Sequence, residues 1–319
     1  MFYVAGFALS LISALIFTPI FIRKLRDAKI TGIDVHKENK PEIPEMGGLS
    51  ILFAFSIGLL FSIPFFIEEL LFIFAATLTI LIAGIIGICD DIMGIRQRTK
   101  ALLPLFASIP LVVTQAGVHT MFIPFFGNVN FGLFFPLILI PLAVTVVSNS
   151  FNMMAGYNGL EAGLGFITSF FIGIASIIVN RPEAAIITFS IAGACLGFLK
   201  YNKHPARIFP GDVGTFVIGA AIASTVIIGN METIGIIVIL PLLINGVITI
   251  IDALRKPKRM KFSSVKNGIL VPPPRHEYGY TLYYFLENRF TLTEKKLVAL
   301  FWLISIAFGI LGIGLLLIV

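Results

Sequence analysis

Residues 70–91 read LLFIFAATLTILIAGIIGICDD, an uncharged run that ends in two aspartates. A run of about 20 apolar residues is long enough to cross a bilayer as a helix. Of the 319 residues, 57% are hydrophobic and 13% charged, with a mean hydropathy of +0.99. The sequence predicts an all-α, polytopic membrane protein with a single integral membrane domain, 1–319. Ten spans are predicted, near residues 2–22, 47–67, 70–88, 101–118, 132–151, 160–179, 184–200, 213–229, 234–251 and 297–319.

The Lys and Arg residues lie in alternate connections between these spans. Residues 23–46 hold six, 89–100 three, 200–212 three and 252–296 ten, whereas Arg181 falls in a connection of the other set. The positive-inside rule assigns the basic connections to the cytoplasm. An even span count then puts both termini on the outer face, and 252–296 becomes a long cytoplasmic loop that we expect to contribute to the substrate site.

The net charge of +6 follows from this topology, so we expect no nucleic-acid partner. Cys89 and Cys195 lie in or beside apolar spans and have neither a disulfide framework nor metal-ligand spacing. His36, His119 and His204 have no recognisable partners and are interpreted as structural.

Asp90 and Asp91 end the third span, at a helix C-terminus where the helix dipole disfavours acids. Two adjacent carboxylates at a membrane border need a cation or a shared proton. Arg96, Arg98 and Lys100 follow closely and are candidates for that cation. A solvated pair is the alternative, but the surrounding apolar sequence favours a substrate or metal role.

Asp212 lies between Gly211 and Gly214, where the eighth span enters from the cytoplasm. It is a candidate N-cap for that span. An acid flanked by glycines, which let a ligand approach closely, also suits a Mg²⁺–phosphate site.

A polar segment, with one acidic residue, connects the fifth and sixth spans. It contains Asn149, Asn152, Gly156, Asn158 and Glu161, without Lys or Arg. Asn149 and Asn152 are three residues apart and share one helix face. Amide oxygens can ligate Mg²⁺ and amide N–H groups can donate to phosphate or sugar, so the link predicts the floor of a polar pocket.

Two further motifs lie on the same predicted face. Arg275 and His276 follow three prolines, which predicts an anion clamp on a stiff support. Glu45, Gly47 and Gly48 open the second span, and the glycines indicate that something large packs closely there. Together the motifs place carboxylates, amides and cations on one cytoplasmic rim, where they can hold a divalent metal and a diphosphate.

These motifs resemble, in the same order, those of the polyprenyl-phosphate N-acetylhexosamine-1-phosphate transferases. In this chain the motifs are residues 44–48, 90–100, 149–161, 209–212 and 275–276. Residues 149–163 resemble the eukaryotic and archaeal branch. That branch transfers GlcNAc-1-phosphate from UDP-GlcNAc to dolichyl phosphate and releases UMP, the first step of lipid-linked oligosaccharide synthesis for N-glycosylation.

The resemblance implies a role for each motif. Asn152 and Asp212 would ligate Mg²⁺, with Mn²⁺ as the alternative metal. Asp90 and Asp91 would lie in the catalytic centre, and Lys100 would lie near the lipid phosphate. Arg275 and His276 would bind the diphosphate oxygens. Phe209 and Gly156 would line the uracil pocket, and Glu45 would contact the substrate.

The chain departs from both branches of the family. Ala155 and Asn158 replace aspartates typical of the bacterial phospho-MurNAc-pentapeptide translocases, which argues against a muramyl-pentapeptide substrate. Gly94 replaces the Asn, and Glu277 the Arg, that are usual in the eukaryotic branch; an acid at 277 weakens the anion clamp.

Two alternative functions follow from these observations. One is an undecaprenyl-phosphate transferase that uses another UDP-N-acetylhexosamine. The other, from a different class, is a secondary transporter or a flippase for lipid-linked sugars, which would have acids near the bilayer midplane and an inverted repeat.

A two-step route through an aspartyl phosphate at Asp90 or Asp91 stays open, as does a homodimer. The predicted membrane is the archaeal plasma membrane, with the endoplasmic reticulum as the alternative.

Overall fold

The computed structural model describes residues 2–123, 126–255, 262–274, 277, 279 and 281–318. It is mostly helical, as predicted. The described helices are α1 (Phe2–Asp27), α2 (Gly48–Ser62), α3 (Leu70–Met93), α4 (Gln97–Leu102), α5 (Pro104–Ala107), α6 (Ile109–Val113), α7 (Ile140–Met153), α8 (Leu160–Ile178), α9 (Pro182–Asn202), α10 (Gly211–Ile228), α11 (Glu232–Val238), α12 (Leu240–Arg255), α13 (Leu282–Arg289) and α14 (Glu294–Leu316).

Eight helices among the described residues are long and apolar enough to cross a membrane. They are α1, α2 with its 3₁₀ extension to Phe65, α3, α7 with the π-helical turn that precedes it from Phe135, α8, α9, α10 and α14. The chain is therefore a polytopic membrane protein, as the apolar runs predicted.

The two other predicted spans are not straight helices. The predicted span 101–118 is broken into α4, α5 and α6, with Pro104 and Pro110 at the starts of the second and third pieces. Proline lacks the N–H that continues a helix, which explains the breaks. The predicted span 234–251 corresponds to α11 and α12, which are bent by 72° relative to each other. The count of ten spans stays a prediction.

Helix α10 lies at the centre of the bundle and packs against α2, α3, α7, α8 and α9. In its apolar stretch 89% of the residues are buried, against 33% in α1 and in α14. Close approach requires glycine: a Cβ on Gly48 would lie 2.1 Å from the Gly214 nitrogen, and a Cβ on Gly87 2.5 Å from the Val213 Cα. The start of α10 is therefore held against α2 and α3.

The ends of α3, α7 and α9 meet the starts of α2, α8, α10 and α14 at one end of the bundle, which we call the site end. The basic connections 23–46, 89–100, 200–212 and 252–296 all adjoin this end.

Three two-stranded antiparallel hairpins complete the described structure. They are β1 (Thr31–Ile33) with β2 (Glu42–Pro44), β3 (Thr120–Ile123) with β4 (Gly127–Asn130), and β5 (Ser264–Lys266) with β6 (Ile269–Val271). The first leads directly into Glu45. The second lies at the opposite end, where Thr233 at the start of α11 donates to the carbonyl of Phe122. The third belongs to the loop 252–296.

Candidate active site

Asp90 lies in the last turn of α3, at the predicted helix C-terminus. Its Oδ1 accepts a hydrogen bond from the Ile95 N–H (2.7 Å), and its Oδ2 lies 2.6 Å from Lys100 Nζ. The helix ends at Gly94, which has φ +64°, a left-handed conformation that glycine and asparagine tolerate best. Glycine at 94, in place of the asparagine usual in the eukaryotic branch, therefore preserves this turn.

Asp91 reaches across to the start of α10. Its Oδ1 accepts from the Asp212 N–H (2.8 Å) and its Oδ2 from the Val213 N–H (3.1 Å). The expectation that Asp212 is itself the N-cap is wrong: α10 begins at Gly211, and no side chain of its own N-cap residue bonds to it. A carboxylate from α3 satisfies these N–H groups instead, which leaves the Asp212 side chain for other partners.

Lys100 bridges the two motifs. Its Nζ lies 2.6 Å from Asp90 Oδ2 and 2.6 Å from Asp212 Oδ2, and the residue is buried, whereas Arg96 and Arg98 are exposed. Burial lowers the pKa of Lys100, but the charges of Asp212 and Asp90 outweigh it, so the pKa is raised above its ordinary value. Of the three candidate cations, Lys100 is the one that neutralises the aspartates.

Asn152 completes this cluster from the end of α7. Its amide donates to Asp212 Oδ1 and to Thr215 Oγ1 (3.0 Å). The cluster of Asp90, Lys100, Asn152 and Asp212 is called the carboxylate–lysine cluster below.

The donors of this cluster fit Mg²⁺. Carboxylate oxygens and, with its amide turned over, the oxygen of Asn152 are the hard ligands that Mg²⁺ prefers, and the ammonium held by Asp90 and Asp212 marks a position where a cation is stabilised. Within the described residues no group of three or more His, Cys, Asp and Glu side chains has metal-binding geometry. The protein would thus supply few ligands, and Mg²⁺ commonly takes the rest from water and substrate phosphates.

A cavity of about 250 Å³ adjoins the cluster. It brings together residues that are far apart in the sequence. Its predicted lining residues are Glu45, Gly156, Asn158, Glu161, Phe209 and Asp212, and its further ones include Asp34, His36, Tyr157 and Phe262. Phe262 comes from the loop 252–296. Burial raises the pKa of Glu45, and the nearby Asp212 charge adds to this against the opposing effect of Lys100.

Backbone hydrogen bonds join the two segments that carry Glu45 and Phe209. The Gly47 N–H donates to the Phe209 carbonyl (2.8 Å), the Gly48 N–H to the Pro210 carbonyl (2.7 Å), and the Phe209 N–H to the Pro44 carbonyl (2.8 Å). Close packing at Gly47 and Gly48 was predicted, and the groups that pack there are residues 208–210 and the start of α10.

Glu161 lies in the first turn of α8 and is buried at 5% exposure. Its Oε1 accepts from the Gly156 N–H (2.8 Å), and its Oε2 has no hydrogen-bond partner among the described residues. The carboxylate therefore shapes the turn at Gly156 with one oxygen and leaves the other unused.

Asn149 does not line the cavity. Its amide donates to the carbonyls of Ala101 (3.0 Å) and Thr145 (2.8 Å). The residue ties α7 to the end of α4, the helix that carries Lys100. The structure thus brings Asn152, but not Asn149, to the cluster.

Asn158 belongs to a second network that sequence reasoning missed. Its Nδ2 donates to Asp34 Oδ2 (3.1 Å), its Oδ1 accepts from the Ala206 N–H (2.6 Å), and its N–H donates to Glu294 Oε1 (2.7 Å). Asn158 therefore lines the cavity and also joins three loops.

Glu294, in the first turn of α14, is the centre of this network. Its Oε2 lies 2.5 Å from Lys37 Nζ and 3.0 Å from His204 Nδ1, and Lys37 Nζ lies 3.2 Å from Asp34 Oδ2. We call Asp34, Lys37, Asn158, His204 and Glu294 the loop-anchoring network. Two features of the sequence pointed to members of this network: an acid in the first turn of the last span, and an Asp34–Lys37 pair three residues apart. Neither feature indicates that Glu294 and this pair are in contact.

Arg275 and His276 lie outside the described residues, so their predicted role as an anion clamp stays a prediction. Glu277 follows the three prolines in a turn, in which its N–H donates to the Pro274 carbonyl (2.8 Å).

Comparison with known proteins identifies the family. The model of glycosyl transferase family 4 matches residues 73–230. The chain is 33% identical to a putative UDP-N-acetylglucosamine–dolichyl-phosphate N-acetylglucosaminephosphotransferase of Saccharolobus solfataricus, over 92% of this chain and 90% of the relative. A protein of the same name from Sulfolobus acidocaldarius is 33% identical, with 97% and 94% covered.

A bacterial relative is similar along nearly the same length. It is the phospho-N-acetylmuramoyl-pentapeptide-transferase of Halalkalibacterium halodurans, which is 30% identical over 96% of this chain and 94% of the relative. The resemblance stated from the motifs is confirmed, and the chain belongs to glycosyl transferase family 4.

Proposed function

We propose that the protein transfers GlcNAc-1-phosphate from UDP-GlcNAc to dolichyl phosphate and releases UMP. The observation that carries this proposal is the carboxylate–lysine cluster, in which Lys100 is shared by Asp90 and Asp212 beside the cavity. The names of the archaeal relatives support the same donor and acceptor. The reaction would be the first step of lipid-linked oligosaccharide synthesis for N-glycosylation.

In this reaction an oxygen of the acceptor phosphate forms a bond to the β-phosphorus of the donor. The bond from that phosphorus to the bridging oxygen breaks, and the electron pair leaves on the phosphate of UMP. Such a transfer needs positioning and charge neutralisation above all. Lys100 is the buried cation that would hold the acceptor phosphate, and Asp91 orients Asp212 by holding the start of α10.

When bound, Mg²⁺ would be held by Asp212 and Asn152 and would neutralise charge on the diphosphate. Glu45, on the cavity wall near Asp212, would contact the sugar phosphate. The uracil and its ribose would lie against Gly156 and Phe209.

The contacts of the aspartates favour direct displacement over an aspartyl phosphate. Both oxygens of Asp91 accept backbone N–H groups, and those of Asp90 are engaged by Ile95 and Lys100. An attacking carboxylate oxygen would have to give up one of these partners. The acceptor phosphate is already a nucleophile and needs no enzyme intermediate.

Asn158 supports the archaeal and eukaryotic branch over the muramyl-pentapeptide branch. Its amide donates to the Asp34 carboxylate while accepting from the Ala206 N–H. An aspartate at 158, as in the bacterial branch, would place a second carboxylate against Asp34. An undecaprenyl-phosphate transferase with another UDP-N-acetylhexosamine is the second candidate, favoured by the similarity to the bacterial relative.

We place the site on the cytoplasmic face of an archaeal plasma membrane, with both termini outside. The support for this sidedness is the charge distribution: the basic connections adjoin the site end of the bundle, and only Arg181 lies in a connection of the other set. The archaeal relatives support the choice of membrane.

The test is UMP release by the purified protein given UDP-GlcNAc, dolichyl phosphate and Mg²⁺. We expect release that depends on the lipid and is lost with EDTA and in Asp212→Ala. Glu183→Gln is the matched control, because Glu183 is also a buried acid in the first turn of a span but lies at the opposite end of the bundle.

Each other outcome has a distinct meaning. Release that survives EDTA would remove the metal from the proposal but leave the transferase. Folded protein that releases no UMP from any UDP-sugar with any polyprenyl phosphate would overturn it. Movement of a lipid-linked sugar across the vesicle membrane, with no release of UMP, would point to the transporter class.

A further inference from the structure

His36 is a buried histidine that the proposed reaction does not use. It is 2% exposed and follows β1, and its backbone N–H donates to Asp34 Oδ1 (3.2 Å). Its ring stacks on Tyr157 with centroids 4.4 Å apart and an 18° angle, and meets the edge of Phe262 at 6.0 Å and 89°. These contacts hold the ring in one orientation.

The ring nitrogen Nε2 of His36 has no hydrogen-bond partner among the described residues. Buried polar atoms in folded proteins are nearly always paired, so an unpaired one needs an explanation. His36 lines the same cavity as Asp212 and Glu45, and a ligand in that cavity is the partner at hand. The interpretation of His36 as merely structural leaves Nε2 unexplained.

A second unpaired atom occurs on the same cavity wall. Glu161 Oε2 also has no partner among the described residues, while Glu161 Oε1 accepts from the Gly156 N–H. Gly156 directly precedes Tyr157, on which the His36 ring stacks. The residues that carry these two atoms both contact the segment Gly156–Tyr157, so a ligand seated there must bring polar atoms of its own.

The surroundings of His36 suit an uncharged planar group. Burial lowers the pKa of His36, against the opposing charges of Glu294 and Asp34, which favours the uncharged form of the ring. Lys37, the cation beside it, is engaged by Glu294 and Asp34. The wall around His36 is aromatic, whereas the cation for a diphosphate, Lys100, lies with Asp212.

We propose that His36 is a specificity-determining residue, which hydrogen-bonds the pyrimidine base of the nucleotide donor through Nε2 and favours uracil over cytosine. This inference rests on the proposed function only in taking a uridine nucleotide as the ligand. Uracil presents an N–H between two carbonyl oxygens, whereas cytosine presents an unprotonated nitrogen beside an amino group. A fixed, neutral imidazole bonds well with only one of these patterns at a given position.

The test is the binding of UMP and of CMP to the full-length protein in lipid nanodiscs, measured by calorimetry. His36→Phe keeps the ring stacked on Tyr157 and removes both nitrogens. We expect UMP affinity to fall about tenfold, the loss of one hydrogen bond, and the preference for UMP over CMP to shrink. The matched control is His119→Phe, because His119 also lies against an aromatic ring, Phe135, but at the opposite end of the bundle.

Unchanged UMP affinity and an unchanged UMP-to-CMP ratio in His36→Phe would overturn the inference. If that variant fails to fold, His36→Gln, which keeps a donor and an acceptor, must show altered discrimination between the two nucleotides. Wild-type protein that binds neither nucleotide would overturn both proposals. UMP binding without any turnover would overturn only the proposed reaction, and the His36 comparison would still decide the inference.

Discussion

Lys100 and Lys37 each lie between two carboxylates at the site end of the bundle, but their clusters are built differently. In the carboxylate–lysine cluster the Asp212 side chain is 25% exposed, and its oxygens are shared with the side chains of Lys100 and Asn152. In the loop-anchoring network Asp34 and Glu294 are 3% and 4% exposed, and both also accept backbone N–H groups.

The exposure and the partners of these carboxylates indicate which of them are available to a ligand. Long side chains such as that of Lys100 can exchange one partner for another at modest cost, so the first cluster can admit a metal or a phosphate. Backbone N–H groups of three converging loops cannot turn away without moving the loops. The second network is therefore expected to hold the cavity walls rather than to bind the substrate.

The largest expected effect separates the two clusters by activity. Asp212→Asn keeps the shape of the side chain but removes its charge, and we expect UMP release to fall about 10³-fold, because preorganised charge is the main catalytic contribution. The thermal midpoint should change little, since Lys100 keeps Asp90 as a partner. Rate and melting temperature measured on one preparation check this; residual activity above a tenth of wild type would contradict it.

Glu294→Gln should show the opposite pattern. The glutamine can still accept from Asn158 but loses its charge towards Lys37 and His204, so we expect a loss of about 1–3 kcal/mol in stability. The KM for UDP-GlcNAc should rise about tenfold as the walls loosen, with kcat nearly unchanged. Steady-state kinetics in both substrates check the split, and a fall in kcat alone would place Glu294 in the chemistry instead.

Asn158→Asp tests the network at a single hydrogen bond. The new carboxylate faces Asp34 Oδ2, from which the amide is now 3.1 Å away, and we expect a loss of about 1–3 kcal/mol. The double variant Asn158→Asp/Asp34→Asn reverses the bond and should recover part of the lost melting temperature, because Lys37 loses the charge of Asp34 but keeps Glu294. A double variant no more stable than Asn158→Asp would show that the contact between the two residues is not the cause.

The smallest effect concerns Gly94, at the end of α3. A Cβ there meets nothing within 4 Å, so only the backbone conformation limits the residue. We expect Gly94→Asn to change stability by less than about 0.5 kcal/mol, and Gly94→Val to cost about 1–2 kcal/mol in the left-handed conformation. Thermal unfolding of the two variants side by side checks this; equal losses would show that side-chain size, not φ, matters.

Local sequence predicted the helices well where hydropathy alone decides. The long runs such as 70–91 became continuous helices because apolar side chains suit the membrane and nothing interrupts the backbone hydrogen bonds. Prediction was poorer at 101–118, where two prolines break the helix that hydropathy suggested. A hydropathy pattern carries no information about such breaks, whereas Pro104 and Pro110 within the run do indicate them.

The motifs predicted the members of the site better than their contacts. Asp90, Lys100, Asn152 and Asp212 do meet, but capping of α10 passes from Asp212 to Asp91, and Asn149 turns to Ala101 and Thr145 instead of the cavity. Asp212 was predicted to cap α10 because it is the acid nearest to the start of that helix in the sequence. The partner nearest in space, 121 residues away, could not be seen without the packing of α3 on α10.

Local composition is enough to indicate the membrane class of this protein and the spans that hydropathy marks. Residue types at fixed spacing are enough to indicate its family. Only the packed structure shows that Lys100, rather than Arg96 or Arg98, neutralises the aspartates, and that Glu294 contacts three loops. The physical reason is that charge pairing and hydrogen bonding act over a few ångströms, and only the packing of helices distant in sequence brings those atoms together.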